Sequence, residues 1–340
     1  MCINKKVMGK RVSRKDVAEA AGVSETIVSY VLNGNRYVKE EKRQRVLDAV
    51  EKLQYQPNNI ARALHGKGSL QILFVAEEMS SGYFSQMVSR MSRDAYEQGY
   101  MISLCESQKE DEFVSRVISR QFDGLCISAS AVTDRQLQMF SASGIPMVIL
   151  LNREIKCELT NAVFVETGLY EGSRNCTRYV ISSGCRNLVY LDEVRESKVT
   201  DLHYQGFLDE VKKSGLKFSE KYRISGCKSI NEAEEKLCYL LKENPEIDAV
   251  ISRSDVLAAS ALHAAEKNQR KIPQDLSVTG FDNSLISQYL TPPLTTVEIQ
   301  KEEVGKTAIK ALLSLIRNEN TGKVNVFDAR LVIRESTINK

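Results

Sequence analysis

The stretch SRKDVAEAAGVSETIVSYVLN, residues 13–33, reads as two short helices joined by a tight turn at Gly22. On the second helix, the side that is apolar at helical spacing carries Ile27, Val28, Val31 and Leu32. The other side carries hydrogen-bonding residues, which are Glu25, Thr26, Ser29, Tyr30 and Asn33. A short helix with such an outward face, braced by a second helix, is typical of a helix-turn-helix DNA reader. An ordinary helical hairpin is the alternative.

Capping signals mark the ends of these helices. Ser13 and Asp16 form an imperfect capping box, because Asp is shorter than Glu, and Ser24 is placed to cap the second helix. Gly34 ends that helix, and a third helix is predicted from about Glu40 to Leu53. Three helices this close together in the chain can share one small core.

Charge is distributed unevenly along the chain. Residues 1–68 hold 14 Lys and Arg against 7 Asp and Glu, while the remaining 272 residues hold 33 against 37, so the total of +3 conceals a basic head. Such asymmetry indicates a polyanion partner at one end. The basic residues before and at the start of the first helix are Lys5, Lys6, Lys10, Arg11, Arg14 and Lys15.

The segment PNNIARAL, residues 57–64, predicts a helix of only about two turns. A helix this short is marginal alone in water, so we expect it to fold against DNA or against a second copy of the chain. An apolar side chain such as Leu64 can wedge between base steps in the minor groove. Simple packing is the alternative for Leu64.

The segments DVAEAAGVS, VSYVLNGNRYV and RVLDAVEKLQYQPNNIARAL closely resemble the N-terminal domain and hinge of the lactose-repressor/galactose-repressor family, from about Arg11 to Leu64. The resemblance implies that Glu25, Thr26 and Tyr30 read bases in the major groove and that Leu64 is the minor-groove lever. The full set of expected DNA contacts is Lys15, Ser24, Glu25, Thr26, Ser29, Tyr30, Asn33, Tyr37, Asn58, Ala61, Arg62 and Leu64. Ile27 and Tyr30 depart from the commoner Thr and Arg, so we expect an operator that differs from the family's commonest sequence.

Composition excludes several classes of protein. A chain of 340 residues predicts two or three domains, and no stretch approaches the roughly 18 consecutive apolar residues of a membrane span. The N-terminus lacks the apolar region of a secretory signal, so we expect a cytoplasmic protein. Eight cysteines without a C-x-x-C motif and only three histidines predict free, mostly buried thiols and no metal or other cofactor.

From Leu70 onward, strands alternate with helices, which predicts α/β layers with parallel sheets. The apolar runs that predict strands are 71–76, 101–105, 124–128, 146–151, 187–191, 248–252 and 276–281. They are too many for one comfortable sheet, so we expect two similar lobes. A helix is predicted at about Lys301–Ile316 and a last strand at 326–333, and both are expected to complete the first lobe.

This body resembles the effector domain of the same family, which shares its architecture with periplasmic sugar-binding proteins. The motifs that carry the resemblance include GIPMV, SSGCRNLVYL, IPQDLSVTGFDN and LTPPLTTV. The expected architecture is therefore a three-helix DNA-binding domain, a hinge helix and a two-lobed α/β effector domain. The expected boundaries are 1–56 for the helix-turn-helix domain, 57–69 for the hinge and linker, 70–160 with 291–340 for the first lobe, and 161–290 for the second.

Ligands of open α/β sheets bind beyond the carboxyl ends of the strands. Polar and aromatic residues that follow predicted strands are therefore candidates for effector binding, and they are Tyr83, Phe84, Ser128, Asn152, His203, Ser254, Asp255 and Asp282. The resemblance implies that Phe84 is a stacking wall and Asp282 a hydrogen-bond acceptor, that His203 replaces a common ligand-binding Arg, and that Ser254 replaces an Asn. Glu166 is expected to be a surface carboxylate.

No phosphate-binding loop or G-x-S-x-G elbow occurs, which argues against an enzyme. A free sugar-binding protein would leave the basic head unexplained. We therefore expect a homodimeric, sequence-specific transcription regulator that binds double-stranded DNA at a pseudo-palindromic operator. Its most favoured role is repression of sugar-utilisation genes, switched by a small molecule between the lobes. The alternatives are a regulator whose lobes respond to a protein partner or to a non-sugar ligand such as a nucleobase.

Overall fold

The computed structural model describes residues 12–34, 36–56, 68–77, 82–129, 131–151, 153–192, 202–227, 229–319 and 327–338. The chain divides into two compact units, Met1–Ser69 and Leu70–Lys340. Within the described part of the chain, none of the helices combines the length and the apolar character that crossing a membrane requires.

The first unit is built from three helices, α1 (Arg14–Ala21), α2 (Glu25–Asn33) and α3 (Glu40–Lys52). Their shared core confirms the predicted apolar faces, because Val28 and Val46 are completely buried. Ile27 and Leu32 are half-buried against the same core. The hinge segment 57–64 lies outside the described residues.

The second unit alternates strands and helices. In chain order its elements are β1 (Gln71–Ala76), α4 (Gly82–Glu97), β2 (Met101–Glu106), α5 (Asp111–Ile118), β3 (Gly124–Ser128), α6 (Asp134–Ala142), β4 (Met147–Leu151), β5 (Ala162–Glu166), α7 (Leu169–Ser182), β6 (Leu188–Leu191), α8 (Leu202–Lys213), β7 (Arg223–Ile224), α9 (Ile230–Glu243), β8 (Ala249–Ser252), α10 (Asp255–Lys267), β9 (Ser277–Thr279), α11 (Ile286–Tyr289), β10 (Thr296–Glu298), α12 (Lys301–Ile316) and β11 (Arg330–Val332).

Two parallel sheets form the two predicted lobes. The first sheet has the strand order β2-β1-β3-β4-β5, and the second has the order β7-β6-β8-β9. Side chains of a strand alternate between the faces of its sheet, so β1 places Phe74 in one core and Val75 in another. Burial on both faces explains why the strands read as continuous apolar runs.

The lobe boundary at 160/161 differs from the structure at one strand. β5, which the sequence placed in the second lobe, pairs in parallel with β4 at the edge of the first sheet. Its apolar run, residues 162–165, is half-buried at the edge of the sheet, and the local sequence does not indicate which sheet it joins.

The end of the chain follows the prediction in part. α12 occupies the predicted range, and its buried side chains Val304, Ile309 and Leu312 complete the core of the first lobe. The last strand differs, because β11 pairs antiparallel with β10 in a separate two-stranded sheet and does not join the first sheet. Thr295, just before β10, forms a parallel bridge to Thr279 of β9, so these strands lie beside the second sheet.

The cysteines of the described residues are all free thiols, as predicted. Burial raises the pKa of the Cys176 thiol to about 11, which keeps it protonated and unreactive at neutral pH. No group of three or more potential metal-binding side chains occurs within the described ranges.

Candidate functional site

The turn between α1 and α2 is fixed by local hydrogen bonds. The capping box forms, because Ser13 Oγ accepts from Asp16 N at 3.3 Å and Asp16 Oδ2 accepts from Ser13 N at 2.7 Å. Ser24 Oγ accepts from Ile27 N at 3.4 Å and so caps α2. Gly22 has a φ of +62°, a left-handed conformation that favours glycine.

The outward face of α2 is available to a partner. Glu25 and Thr26 are exposed, while Ser29 and Tyr30 are half-buried at the edge of the helix. The side chain of Asn33 lies outside the described residues. The first turn of the helix therefore presents a carboxylate and a hydroxyl to the solvent, as a helix that reads base edges with its N-terminal residues requires.

A guanidinium that the sequence reasoning missed lies beside the reading helix. Arg36 Cζ lies 5.2 Å from the centre of the Tyr30 ring, at the distance of a cation–π contact. Arg36 is exposed, and the neighbouring Tyr37 is 91% exposed. The only sequence signal for Arg36 is its basic charge within the basic head.

Lys15, an expected DNA contact, lies exposed beside Glu19. Its ammonium group lies 4.0 Å from the carboxylate of Glu19, and both side chains are more than two-thirds exposed. An ion pair this exposed is weak, so Lys15 remains able to meet a phosphate. The expected contacts Asn58, Ala61, Arg62 and Leu64 lie outside the described residues.

In the second unit, a cavity of about 540 Å³ lies where the chain crosses between the lobes. The first lobe contributes residues at the carboxyl ends of β4 and β5, and the second lobe contributes Tyr170 of α7 and Leu202 of α8. The crossing segments Glu166–Gly168 and 327–328 form one wall of the cavity. A ligand held here would therefore contact both lobes, at the strand ends where α/β proteins bind ligands.

The described members of the predicted effector set lie elsewhere, and none of them lines this cavity. Phe84 packs edge-on against Phe74, with ring centres 6.1 Å apart, and is half-buried against the first core. Ser128 is fully buried and its hydroxyl has no hydrogen-bond partner among the described residues. Asn152 and the side chain of Tyr83 lie outside the described residues.

His203 lies in the interior of the second lobe. It is 2% exposed, its Nδ1 lies 2.6 Å from the Tyr190 hydroxyl, and its ring centre lies 4.2 Å from that of Phe281. Burial lowers the pKa of His203 to about 4. A neutral imidazole cannot substitute for the charge of the arginine that the family commonly carries here.

Ser254 and Asp255, assigned to the effector from the sequence, are used within the fold. Ser254 Oγ caps α10 by accepting from Leu257 N at 3.2 Å. Asp255 is 1% exposed and accepts from Thr296 Oγ1 at 2.5 Å and from Ser284 N at 2.6 Å. Asp255 therefore links α10 to Thr296 of β10. Its carboxylate is already hydrogen-bonded within the fold.

Asp282 also contacts β10. It has a φ of +100°, and its backbone N–H donates to Val297 O at 2.8 Å. Its carbonyl accepts from the buried ammonium group of Lys301, at the start of α12. Asp282 therefore joins the second lobe to the helix that completes the first.

Arg153 lines the cavity, but its charge is neutralised by an internal ion pair. Its guanidinium lies 2.6 Å from Asp134 Oδ1 and donates to the backbone oxygens of Val132 and Glu154. Burial acts to raise the pKa of Asp134, but the Arg153 guanidinium and the hydrogen bond from Lys156 N outweigh it and lower that pKa. An anionic ligand would have to compete with this internal pair.

Sequence reasoning missed most of the cavity wall. Thr167 follows β5, and its hydroxyl is buried without a hydrogen-bond partner among the described residues. Phe164 and Phe327 supply aromatic faces. Recognition of β5 as a strand would have pointed to Glu166 at its carboxyl end and to Thr167 and Gly168 just after it. Asp328 carries no such signal, because it lies before a strand.

Comparison with known proteins agrees with both units. Residues 14–58 match the family model described as bacterial regulatory proteins, lacI family, and residues 177–337 match the periplasmic binding protein-like domain. The HTH-type transcriptional repressor PurR of Escherichia fergusonii is 30% identical over 328 residues, covering 95% of this chain and 96% of the relative. PurR of Actinobacillus pleuropneumoniae serotype 3 is 28% identical, covering 96% and 98%.

A solved structure supports the fold along the whole chain. The lac repressor dimer bound to operator and the anti-inducer ONPF has a TM-score of 0.82 and 24% identity, with 97% of this chain and 100% of that chain covered. These relatives are transcriptional regulators and not enzymes. The helix-turn-helix unit, the two-lobed α/β unit and the similarity to PurR together show that the chain belongs to the lacI family of bacterial regulatory proteins and is a DNA-binding transcriptional repressor.

Proposed function

We propose that this repressor binds a pseudo-palindromic operator as a homodimer and that a sugar bound between its two α/β lobes switches operator affinity. The observation that carries the DNA part is the capped helix α2, which presents Glu25 and Thr26 outward while Val28 and Val31 anchor it in the core. Tyr30, with Arg36 beside its ring, lies one turn further along. Glu25 suits the amino group of cytosine if it reads a base.

The DNA part is tested by separating base reading from phosphate contact. Tyr30→Ala should alter base preference at one position of each half-site, since loss of a base contact changes specificity there. Lys15→Ala should weaken binding to every sequence and flatten its salt dependence. Fluorescence anisotropy with operator and random duplexes measures both, and Lys212→Ala, an exposed lysine of α8, is the matched control. Equal losses on operator and random DNA for Tyr30→Ala would contradict the reading role.

The effector part is supported by the chemistry of the interlobe cavity. The aromatic residues Phe164, Phe327 and Tyr170 line it together with Glu166 and Asp328. Flat apolar faces with hydrogen-bond acceptors suit the ring and hydroxyls of a sugar. Similar structures include a CelR-cellobiose complex and a regulator with bound sucrose. A nucleobase is the second candidate, because an aromatic wall stacks on it equally well.

Thermal denaturation of the full chain with single sugars and nucleobases tests the effector part. A ligand that binds the folded state raises the unfolding temperature. Any compound that does so is then titrated into the operator complex. Because coupling is reciprocal, a true effector must change operator affinity and must itself bind differently when operator is present. A stabilising compound that leaves operator affinity unchanged is not the effector.

Dimer formation is supported by exposed apolar side chains at an unpaired sheet edge. β2 is the edge strand of the first sheet, where Met101 is 68% exposed and Leu104 is 50% exposed, and Tyr96 of α4 is 76% exposed. An exposed apolar edge strand can pair with another chain unless another element covers it. We expect sedimentation of the full chain to give a dimer and Leu104→Glu to shift it toward monomer. Ile333→Glu, at an exposed apolar residue away from β2, is the control. A monomeric native chain would refute this part.

A further inference from the structure

The interlobe cavity is acidic. Its described lining contains the four carboxylates of Glu154, Glu166, Glu171 and Asp328 against one guanidinium, that of Arg153. Since Arg153 is already paired with Asp134, it does not offset these carboxylates. A negatively charged ligand would enter against this potential.

Two of the four carboxylates have cationic neighbours. Glu154 lies 3.7 Å from Lys156, and Glu171 lies 2.9 Å from Arg174. Glu166 and Asp328 make no ion pair with any residue in the described part of the chain. These two acidic groups are therefore the ones that a ligand can satisfy.

Glu166 and Asp328 are brought to one wall by the crossing of two chain segments. Phe327 N donates to Glu166 O at 3.2 Å, and a Cβ added at Gly168 would lie 2.4 Å from Phe327 O. This close approach needs the glycine, which also has a φ of +79°. The close approach of these two segments therefore fixes the backbone positions of Glu166 and Asp328.

A second observation at the same wall points to a ligand. Thr167, between Glu166 and Gly168, is 1% exposed, and its Oγ1 makes no hydrogen bond with the described residues. A buried hydroxyl normally has a partner. Phe164 and Phe327 complete the lining, and aromatic rings favour a nearby cation.

We propose that the effector carries a cationic group, a protonated amine on a hydroxyl-bearing body, and that this amine binds between Glu166 and Asp328. This assignment rests on the proposed function, since it takes the interlobe cavity as the effector site. Closure of the lobes removes water from both carboxylates, which is unfavourable unless a positive charge replaces that water. A cationic ligand therefore favours the closed lobes, whereas a phosphorylated sugar opposes them.

Three probes that share one sugar ring but differ in charge test the assignment by isothermal titration calorimetry of the full chain. They are glucosamine, glucose and glucose 6-phosphate, at slightly acid pH so that the amine is protonated. We expect glucosamine to bind at least about tenfold more tightly than glucose, and glucose 6-phosphate to bind more weakly than either. Glu166→Gln with Asp328→Asn should reduce the difference between glucosamine and glucose to less than about twofold. Glu243→Gln, at an exposed carboxylate that does not line the cavity, is the control.

Tighter binding of glucose 6-phosphate than of glucosamine would overturn the assignment, as would undetectable binding of glucosamine or an unchanged preference in the double variant. Operator binding measured on the same preparations separates this failure from failure of the proposed function. If an uncharged sugar still changes operator affinity, only the charge assignment is wrong. If no sugar of any charge changes operator affinity, the sugar effector itself is wrong.

Discussion

His203 gives the stability of this repressor a pH dependence of predictable sign. Burial lowers its pKa from the ordinary 6.5 to about 4, since a charged imidazole would lose its water among Tyr190 and Phe281. A depressed pKa means that the unfolded chain binds the proton more tightly than the folded chain does. The contribution of His203 is therefore fully present above pH 6.5 and is lost as the pH falls from 6.5 toward 4.

The size of the effect follows from the shift. A difference of about 2.5 pKa units corresponds to about 3 kcal/mol for the complete protonation change. Between about pH 7 and about pH 5, the same two pKa values predict a loss of about 2 kcal/mol, because the folded imidazole is still mostly neutral at the lower pH. His203 is fully buried, so solvent screening does not reduce this figure much.

Urea denaturation of the full chain at several pH values measures this loss. His203→Gln keeps a group that can bond to the Tyr190 hydroxyl but cannot titrate, so it should lack about 2 kcal/mol of the pH dependence seen in the native chain. His263→Gln, at a histidine whose side chain is 66% exposed, is the control for loss of a histidine elsewhere in the fold. The comparison uses the change with pH, so a constant destabilisation by the substitution does not affect it. Equal pH dependence in the native chain and His203→Gln would show that burial of His203 does not control the acid sensitivity of the fold.

Three further substitutions test other parts of the structure. Asp255→Ala leaves the buried donors of Thr296 and Ser284 without an acceptor and should lower the free energy of unfolding by about 3 kcal/mol in urea titrations; a loss below about 1 kcal/mol would contradict this role. Gly22→Ala meets no atom closer than 3.7 Å, so only its left-handed φ opposes it, and calorimetry should show a cost of about 1–2 kcal/mol. Leu64→Ala should reduce operator bending measured by fluorescence resonance energy transfer between the duplex ends; unchanged bending would exclude it as the lever.

Local features could be predicted from the sequence because they depend on neighbours in the chain. The caps at Ser13 and Ser24 and the turn at Gly22 involve residues within four positions of one another. The buried strands of both sheets are likewise visible, because burial on both faces demands a continuous apolar run. α12 was predicted at its observed range because its apolar residues recur at regular helical spacing.

The pairing of two strands could not be predicted. β5 and β11 each pair with a strand that their local sequence does not specify. Their membership of a sheet follows from tertiary contacts and not from local preference. This is why the expected lobe boundary and the expected position of the last strand differ from the structure.

The effector residues expected from the sequence were selected only by their position after strands. Packing, which the sequence does not show, engages several of them inside the protein. Asp255 is bonded to Thr296 and Ser284, and His203 is bonded to Tyr190. The cavity wall instead includes Thr167 and Asp328, which meet only because two distant segments cross.

Selection of random duplexes by the full-length chain, followed by sequencing of the bound pool, tests sequence-specific binding as a dimer most directly. We expect enrichment of two inverted half-sites, and a changed preference at one position of each half-site when the same selection is done with Tyr30→Ala. A bound pool without an enriched sequence, or a single half-site unaffected by Tyr30→Ala, would contradict this expectation.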